Sequence, residues 1–180
     1  MTVFAPRETD PRETRAPLVP ETAKKLVDLG LSVEVESGIG AKCDHPDSQY
    51  EEAGAKVVSD RAAALGAADF VFRVRKPPAE EIAQLKKGAV HVSFLDPFNE
   101  GELMKSMAEA GVTAVSLEMI PRTTLAQKMD ALSSQANIAG YTAVILAAER
   151  MNKILPMMMT PAGTISPSKF FVLGVGVAGL

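Results

Sequence analysis

The sequence predicts an α/β domain built on a mainly parallel sheet with helices on both faces. Short apolar runs of strand type alternate, from the N-terminus onward, with stretches of helical periodicity. Glycines stand where most of the helical stretches end, as helix stops do. Residues 170–180 read FFVLGVGVAGL, an apolar run followed by Gly174, Gly176 and Gly179 in the spacing GxGxxG. That spacing opens a dinucleotide-binding βαβ unit. The first glycine turns the chain out of its strand, the second admits a pyrophosphate close to the backbone, and the third lets helix pack on strand. The expected architecture is therefore a Rossmann-like parallel-sheet domain, a linking helix, and the first strand and glycine turn of a second, truncated, dinucleotide-binding Rossmann domain.

Taken in order, strands are expected at residues 2–5, 32–36, 56–58, 70–74, 90–95 and 113–117. The first helix is expected over 20–29, with Pro20 near its start and Gly30 just past its end, the usual asymmetry of helix termini. Others are expected at 48–53, 60–65, 79–87 and 100–110, stopped by Gly54, Gly66, Gly88 and Gly111. After the sixth strand, Glu118-Met119-Ile120-Pro121-Arg122-Thr123-Thr124 leads into a longer helical stretch reaching about Lys153, a natural bridge between domains. It carries Ala131, Ser133, Ser134, Ala136, Ala139 and Gly140, small residues that let another segment come close. An interior glycine costs about 1 kcal/mol relative to alanine, so Gly140 needs such a neighbour. Pro156, Met157 to Met159, Pro161, Gly163 and Pro167 are expected to break regular structure, and 170–173 to be a strand covered on both faces. The domain bounds are 1–125, 126–167 and 168–180. The run stops one residue after Gly179, before the helix and the acidic residue expected roughly 20 residues on. The sequence thus reads as a fragment that alone would be inactive and hold half of a dinucleotide site at most.

Composition narrows the function. Of 180 residues, 47% are hydrophobic and 23% charged, enough for a sizeable core. Net charge is -3 with scattered Lys and Arg, which disfavours nucleic acid as a partner. Cys43 is the single cysteine, so no internal disulfide forms. Cys43 and His45, with His91 as the other histidine, lack a metal-ligand set and are expected in loops. No secretory signal or transit peptide is expected, and the apolar stretch 138–148 is too short to span a bilayer.

Three further places could carry chemistry. The loop 6–19 mixes Arg7, Arg12 and Arg15 with Glu8, Asp10 and Glu13 at the carboxyl end of a strand, where such sheets bind ligands. It reads at least as readily as a solvated, self-paired loop. Arg73-Val74-Arg75-Lys76-Pro77 reads equally as an anion site or a solvated strand end. Asp96, in Phe94-Leu95-Asp96-Pro97, is a single carboxylate at a strand end, more often a cap or turn residue.

The run PRTTLAQKMDALSSQANIAGYTAVI at 121–145, followed by PMMMTPAGT at 156–164 and GVGVAGL at 174–180, closely resembles proton-translocating NAD(P) transhydrogenase, and within it the NAD(H)-binding bacterial α subunit. The likeness extends over the whole chain from PRETDPRETRAPLVPE onward. It implies two Rossmann-like domains with NAD(H) in the cleft between them. It also implies an NADP(H)-binding partner domain, membrane components that carry the proton, a homodimer of this component, and a place on the cytoplasmic face of a bacterial inner membrane. By position, the nicotinamide loop matches Arg122, Gln127, Asp130 and Ser133, within the stretch that also holds Thr123, Thr124 and Leu125. The pyrophosphate turn matches Gly174, Val175, Gly176, Val177, Ala178 and Gly179. Leu125 departs from the family, which has a second arginine there.

Those residue types suit the chemistry. Hydride transfer between two nicotinamides is a positioning task that needs no protein acid or base. Arg122 and Gln127 can donate to a carboxamide oxygen, and Asp130 and Ser133 can fix the amide end or orient Arg122. Asp130 and Ser133 could equally serve the helix start. No metal is called for. The related alternative is alanine dehydrogenase, whose oxoacid arginine matches Arg15 and whose lysine stretch matches Val74 to Pro77. Its catalytic histidine falls on Asp96, which disfavours amino-acid oxidation. A non-catalytic gene fragment or interaction module is the third possibility.

Overall fold

A computed structural model describes all residues, Met1–Leu180. The chain divides into two compact units, Met1–Ile120 and Pro121–Leu180. The division falls a few residues before the boundary expected at 125, so Arg122 belongs with the long helix that follows it.

The first unit alternates strand and helix as its periodicity requires: β1 (Thr2–Ala5), α1 (Pro20–Asp28), β2 (Ser32–Glu36), α2 (Asp47–Glu52), β3 (Lys56–Val58), α3 (Arg61–Ala67), β4 (Phe70–Arg75), α4 (Ala79–Ile82), β5 (Val90–Phe94), α5 (Gly101–Glu109) and β6 (Thr113–Ser116). All five strand pairings are parallel, in the order β3-β2-β1-β4-β5-β6. Side-chain alternation along β1 sends its residues to opposite cores. Phe4 packs with Leu65, Leu103 and Met107 from α3 and α5, whereas Ala5 packs with Ala23 and Tyr50 from α1 and α2. Burial of each large side chain in these layers contributes about 1.5–3 kcal/mol. Tyr50 is fully buried, and its hydroxyl donates to the Leu18 carbonyl at 2.9 Å, tying the loop after β1 to α2.

Helix ends follow local chemistry. Pro20 opens α1 and Gly30 stands beyond it at φ +83°; Asp60 caps α3 by accepting from the Ala63 amide at 3.0 Å. Gly54, Gly88 and Gly111 also take positive φ, as stops do, but Gly66 lies inside α3. The helix expected over 79–87 closes at Ile82; Gln84, Leu85 and Ala89 continue as turns bonded to Glu81, Ile82 and Lys86. The helical periodicity of that stretch is satisfied by turns that still bury Leu85.

In the second unit a 3-10 turn over Gln127–Met129 precedes α6 (Ala131–Arg150). The helix is shorter than expected at both ends. Asp130 starts it as N-cap, and Met151 leaves it in extended conformation. The stretch expected to be irregular instead forms a hairpin of β7 (Met158–Thr160) and β8 (Gly163–Ile165), with Pro161 and Ala162 as its two-residue connection. The expected strand at 170–173 does not form: no strand pairs with it, and Phe171 and Leu173 are each 87% exposed. An apolar run acquires strand structure only from a partner's ladder, which periodicity alone does not supply. No helix is long and apolar enough to cross a membrane.

Candidate functional site

Strand order in the first unit reverses between β1 and β4, the point where open α/β sheets take ligands at the carboxyl edge. The charged groups expected there are present, and most are already matched. Arg15 grips Glu13 through Nε and Nη2, each at 2.7 Å, and through its backbone amide at 3.1 Å, and Arg75 adds a further bond to Glu13 at 2.9 Å. The Arg15 guanidinium is the main reason the Glu13 pKa falls to about 2. Glu8 accepts from the Val74 amide at 2.6 Å, where a bulge in the β4 ladder frees that donor; burial nevertheless pushes the Glu8 pKa upward. Lys76 pairs with Glu100. Arg73, with a side chain 1% exposed, pairs with Glu81, which also binds Arg61 at 2.9 Å, and Arg61 reaches Glu36 at 2.6 Å. The space among Arg7, Glu8, Glu13, Arg15 and Lys42 is about 20 Å³, room for a water and not for an oxoacid. The self-paired loop is thus what folds, and Arg73 is buried rather than solvated. Asp96 holds a turn: at φ +52° its carboxylate accepts from Asn99 Nδ2 and its carbonyl from the Asn99 and Glu100 amides.

The second unit contains a cleft of about 520 Å³, lined by Arg122, Leu132, Ser133 and Ala136 on one side and by Val172, Leu173, Gly174, Gly176, Val177, Ala178 and Gly179 on the other. That volume lies within the usual range of small-molecule sites. Its apolar walls carry one cation, one hydroxyl and a turn of backbone. Each glycine of the turn has its own reason. Gly174 takes φ +93°, strained for any side chain; Gly176 faces open space with nothing within 4 Å of a would-be Cβ. At Gly179 a Cβ would overlap the Gly174 carbonyl oxygen and lie 3.1 Å from its carbon. The amides of Gly179 and Leu180 both donate to the Gly176 carbonyl, at 3.0 and 3.1 Å, closing the turn on itself.

Asp130 accepts from the Ser133 amide at 2.8 Å and from the Ser133 hydroxyl at 2.6 Å, so both serve the helix start while Ser133 also lines the cleft. These bonds, with a smaller contribution from the Arg122 charge, lower the Asp130 pKa. Thr123 accepts from the Ala126 amide through its hydroxyl and its carbonyl, closing the bend that carries Arg122 into α6. Thr124 and Gln127 are exposed, Leu125 is 94% exposed, and none of the three lines the cleft; nor does Val175. Leu132 and Ala136 line the cleft without any polar group to single them out in the sequence, although Ala136 follows Ser133 at i+3 on one face of the helix.

A doubly wound parallel unit followed by a glycine turn against a helix defines an α/β protein of Rossmann type. The family described as "Alanine dehydrogenase/PNT, N-terminal domain" matches residues 4–139, and "Alanine dehydrogenase/PNT, C-terminal domain" matches 143–180. The chain belongs to the alanine dehydrogenase/PNT N-terminal domain family. It is 42% identical, over all of its length, to 34% of the "NAD(P) transhydrogenase subunit alpha" of Cereibacter sphaeroides. The crystal structure of transhydrogenase from Sinorhizobium meliloti superposes with a TM-score of 0.95 at 48% identity, covering 99% of this chain and 53% of that one. An L-alanine dehydrogenase structure gives 0.82 at 26% identity, covering 99% of this chain and 50% of that one. The chain thus spans only a third to a half of the length of these relatives.

Proposed function

We propose that this chain is part of the NAD(H)-binding α subunit of a proton-translocating NAD(P) transhydrogenase, transferring hydride between NAD(H) and NADP(H). One observation carries the proposal: Arg122 and Ser133, from the nicotinamide motif, line the same cleft as the glycine turn. Gly176 leaves room for a pyrophosphate against its backbone, which suits the dinucleotide. When bound, the nicotinamide supplies the hydride chemistry. The chain's own residues hold it in place: Arg122, which lines the cleft, donates to the carboxamide, and Asp130, ionised and bonded to Ser133, fixes the Ser133 hydroxyl; Gln127, outside the cleft, is assigned to the carboxamide by the motif alone. NADP(H) sits on a partner domain, membrane components carry the proton, and this component forms a homodimer on the cytoplasmic face of a bacterial inner membrane.

Oxidation of alanine is disfavoured by a specific observation. Arg15 and Arg75, the positions that match an oxoacid site, are both bound to Glu13, and Asp96 stands where a histidine would transfer the proton. NADH titration of isotope-labelled chain tests the site. Shifts of the Gly174, Gly176 and Gly179 amides, with the β1 and β4 loops unmoved, are expected. Shifts confined to the first unit would overturn the assignment.

A further inference from the structure

Gly140 lies in the middle of α6, where glycine weakens a helix relative to alanine. Ser133, Ala136 and Gly140 fall on one helical face, at i, i+3 and i+7. The first two line the cleft; the third touches the turn behind it. A Cβ on Gly140 would overlap the Ala178 carbonyl oxygen, and would stand 3.1 Å from that carbonyl carbon and 3.3 Å from the Ala178 Cα. Carbon atoms rest at about 3.5–4.0 Å, so a methyl group here must push backbone away by roughly half an ångström or more. What it pushes moves as one body, because Gly179 and Leu180 bond to Gly176 and Gly179 packs on Gly174.

We propose that Gly140 is a positioning residue of the nucleotide site: its missing side chain seats the glycine turn directly on α6. The seat sets the separation between the turn amides and the Arg122 and Ser133 end of the cleft. Both ends are then registered on one rigid element, since the same helix begins at the Asp130 cap that holds Ser133. The inference rests on the dinucleotide reading of the cleft, and adds to it the residue that fixes the cleft's width.

Gly140→Ala is the test, in isotope-labelled chain with and without NADH, beside Ala139→Ser, which enlarges a neighbouring exposed residue. Without nucleotide, Gly140→Ala is expected to move the Gly174, Gly176 and Gly179 amide resonances, leaving those of β1 to β6 in place; Ala139→Ser moves neither set. Unmoved β1 to β6 resonances show that the first unit has folded, and wild-type resonances of the Ser133 amide at the α6 cap show that the second has. With NADH, Gly140→Ala is expected to weaken binding by roughly tenfold, the scale of a displacement of about 0.5–1 Å at a preorganised site. Turn resonances that superimpose on the wild type, together with a raised thermal midpoint, would overturn the proposal; helix propensity alone gives that result. A displaced turn with unchanged NADH affinity would overturn the positioning role. Wild-type turn amides that ignore NADH would sink the dinucleotide reading itself, while the nucleotide-free comparison still decides whether Gly140 seats the turn.

Discussion

His91 should make the fold acid-sensitive as soon as the pH falls below the ordinary histidine pKa of 6.5. Its ring is 0% exposed on β5, with Nε2 3.1 Å from the Ser93 hydroxyl and Nδ1 without a partner. Burial, then the nearby Arg73 charge, lowers its pKa to about 3 from 6.5. The folded protein therefore keeps the ring neutral, whereas the unfolded chain takes up a proton below pH 6.5. The unfolded state binds more protons across that window, so stability falls as pH falls, and the contribution is fully present only above pH 6.5. At about 1.4 kcal/mol per unit, the loss is about 2 kcal/mol by pH 5 and levels off at about 4 kcal/mol near pH 3, where the folded ring itself begins to take up the proton. Two kilocalories is a large part of a typical stability of about 5–15 kcal/mol. Urea denaturation at pH 7 and pH 5, for the wild type and His91→Asn, isolates this group, because Glu8, whose raised pKa acts in the opposite sense, is common to both. The wild type should lose about 2 kcal/mol more than the variant on going from pH 7 to pH 5. Equal losses would refute the reasoning.

Glu81→Ala removes the carboxylate shared by Arg61 and the buried Arg73, and an uncompensated buried charge costs about 3–5 kcal/mol; a loss under about 1 kcal/mol in urea would contradict the network. Gly176→Ala should leave the thermal midpoint unchanged, since its Cβ meets no protein atom, yet weaken NADH binding by roughly tenfold, about 1.4 kcal/mol. Equal affinity would show that the pyrophosphate lies elsewhere. Arg122→Ala, which removes the cleft's cation, and Gln127→Ala, which tests the motif assignment, should slow hydride transfer at saturating nucleotide by roughly tenfold or more in the proposed transhydrogenase complex while changing NADH affinity less, if both groups align the ring. Stopped-flow rates equal to wild type would rule this out.

The first unit was largely legible because its central strands lie in a sheet that buries them, so that Val33, Val35 and Val71 alternate or run together as burial requires, whereas the edge strands β3 and β6 are carried by their flanking turn residues. The glycine stops at Gly30, Gly54, Gly88 and Gly111 were legible for a backbone reason, their positive φ. Gly66 misled because a glycine can also sit within a helix. Legibility failed where partners decide. Residues 170–173 carry strand composition but have no ladder, and β7 and β8 pair across Pro161 and Ala162 although prolines crowd the stretch. In the candidate site, the demand for a close neighbour at Gly140 could be read from helix propensity, but that neighbour's identity, Ala178, needed the structure. The burial of Arg73 was hidden because Glu81 follows on the next helix, and nothing in local spacing announces such a pairing.

The most direct test of the proposed transhydrogenation is the choice of hydride partner by the full-length protein that carries this chain, purified with whatever subunits accompany it. Offered NADPH and an oxidised NAD analogue, it should reduce the analogue; offered NAD and L-alanine, it should form no NADH. Alanine-dependent NADH formation without transfer between the two nucleotides would contradict the account.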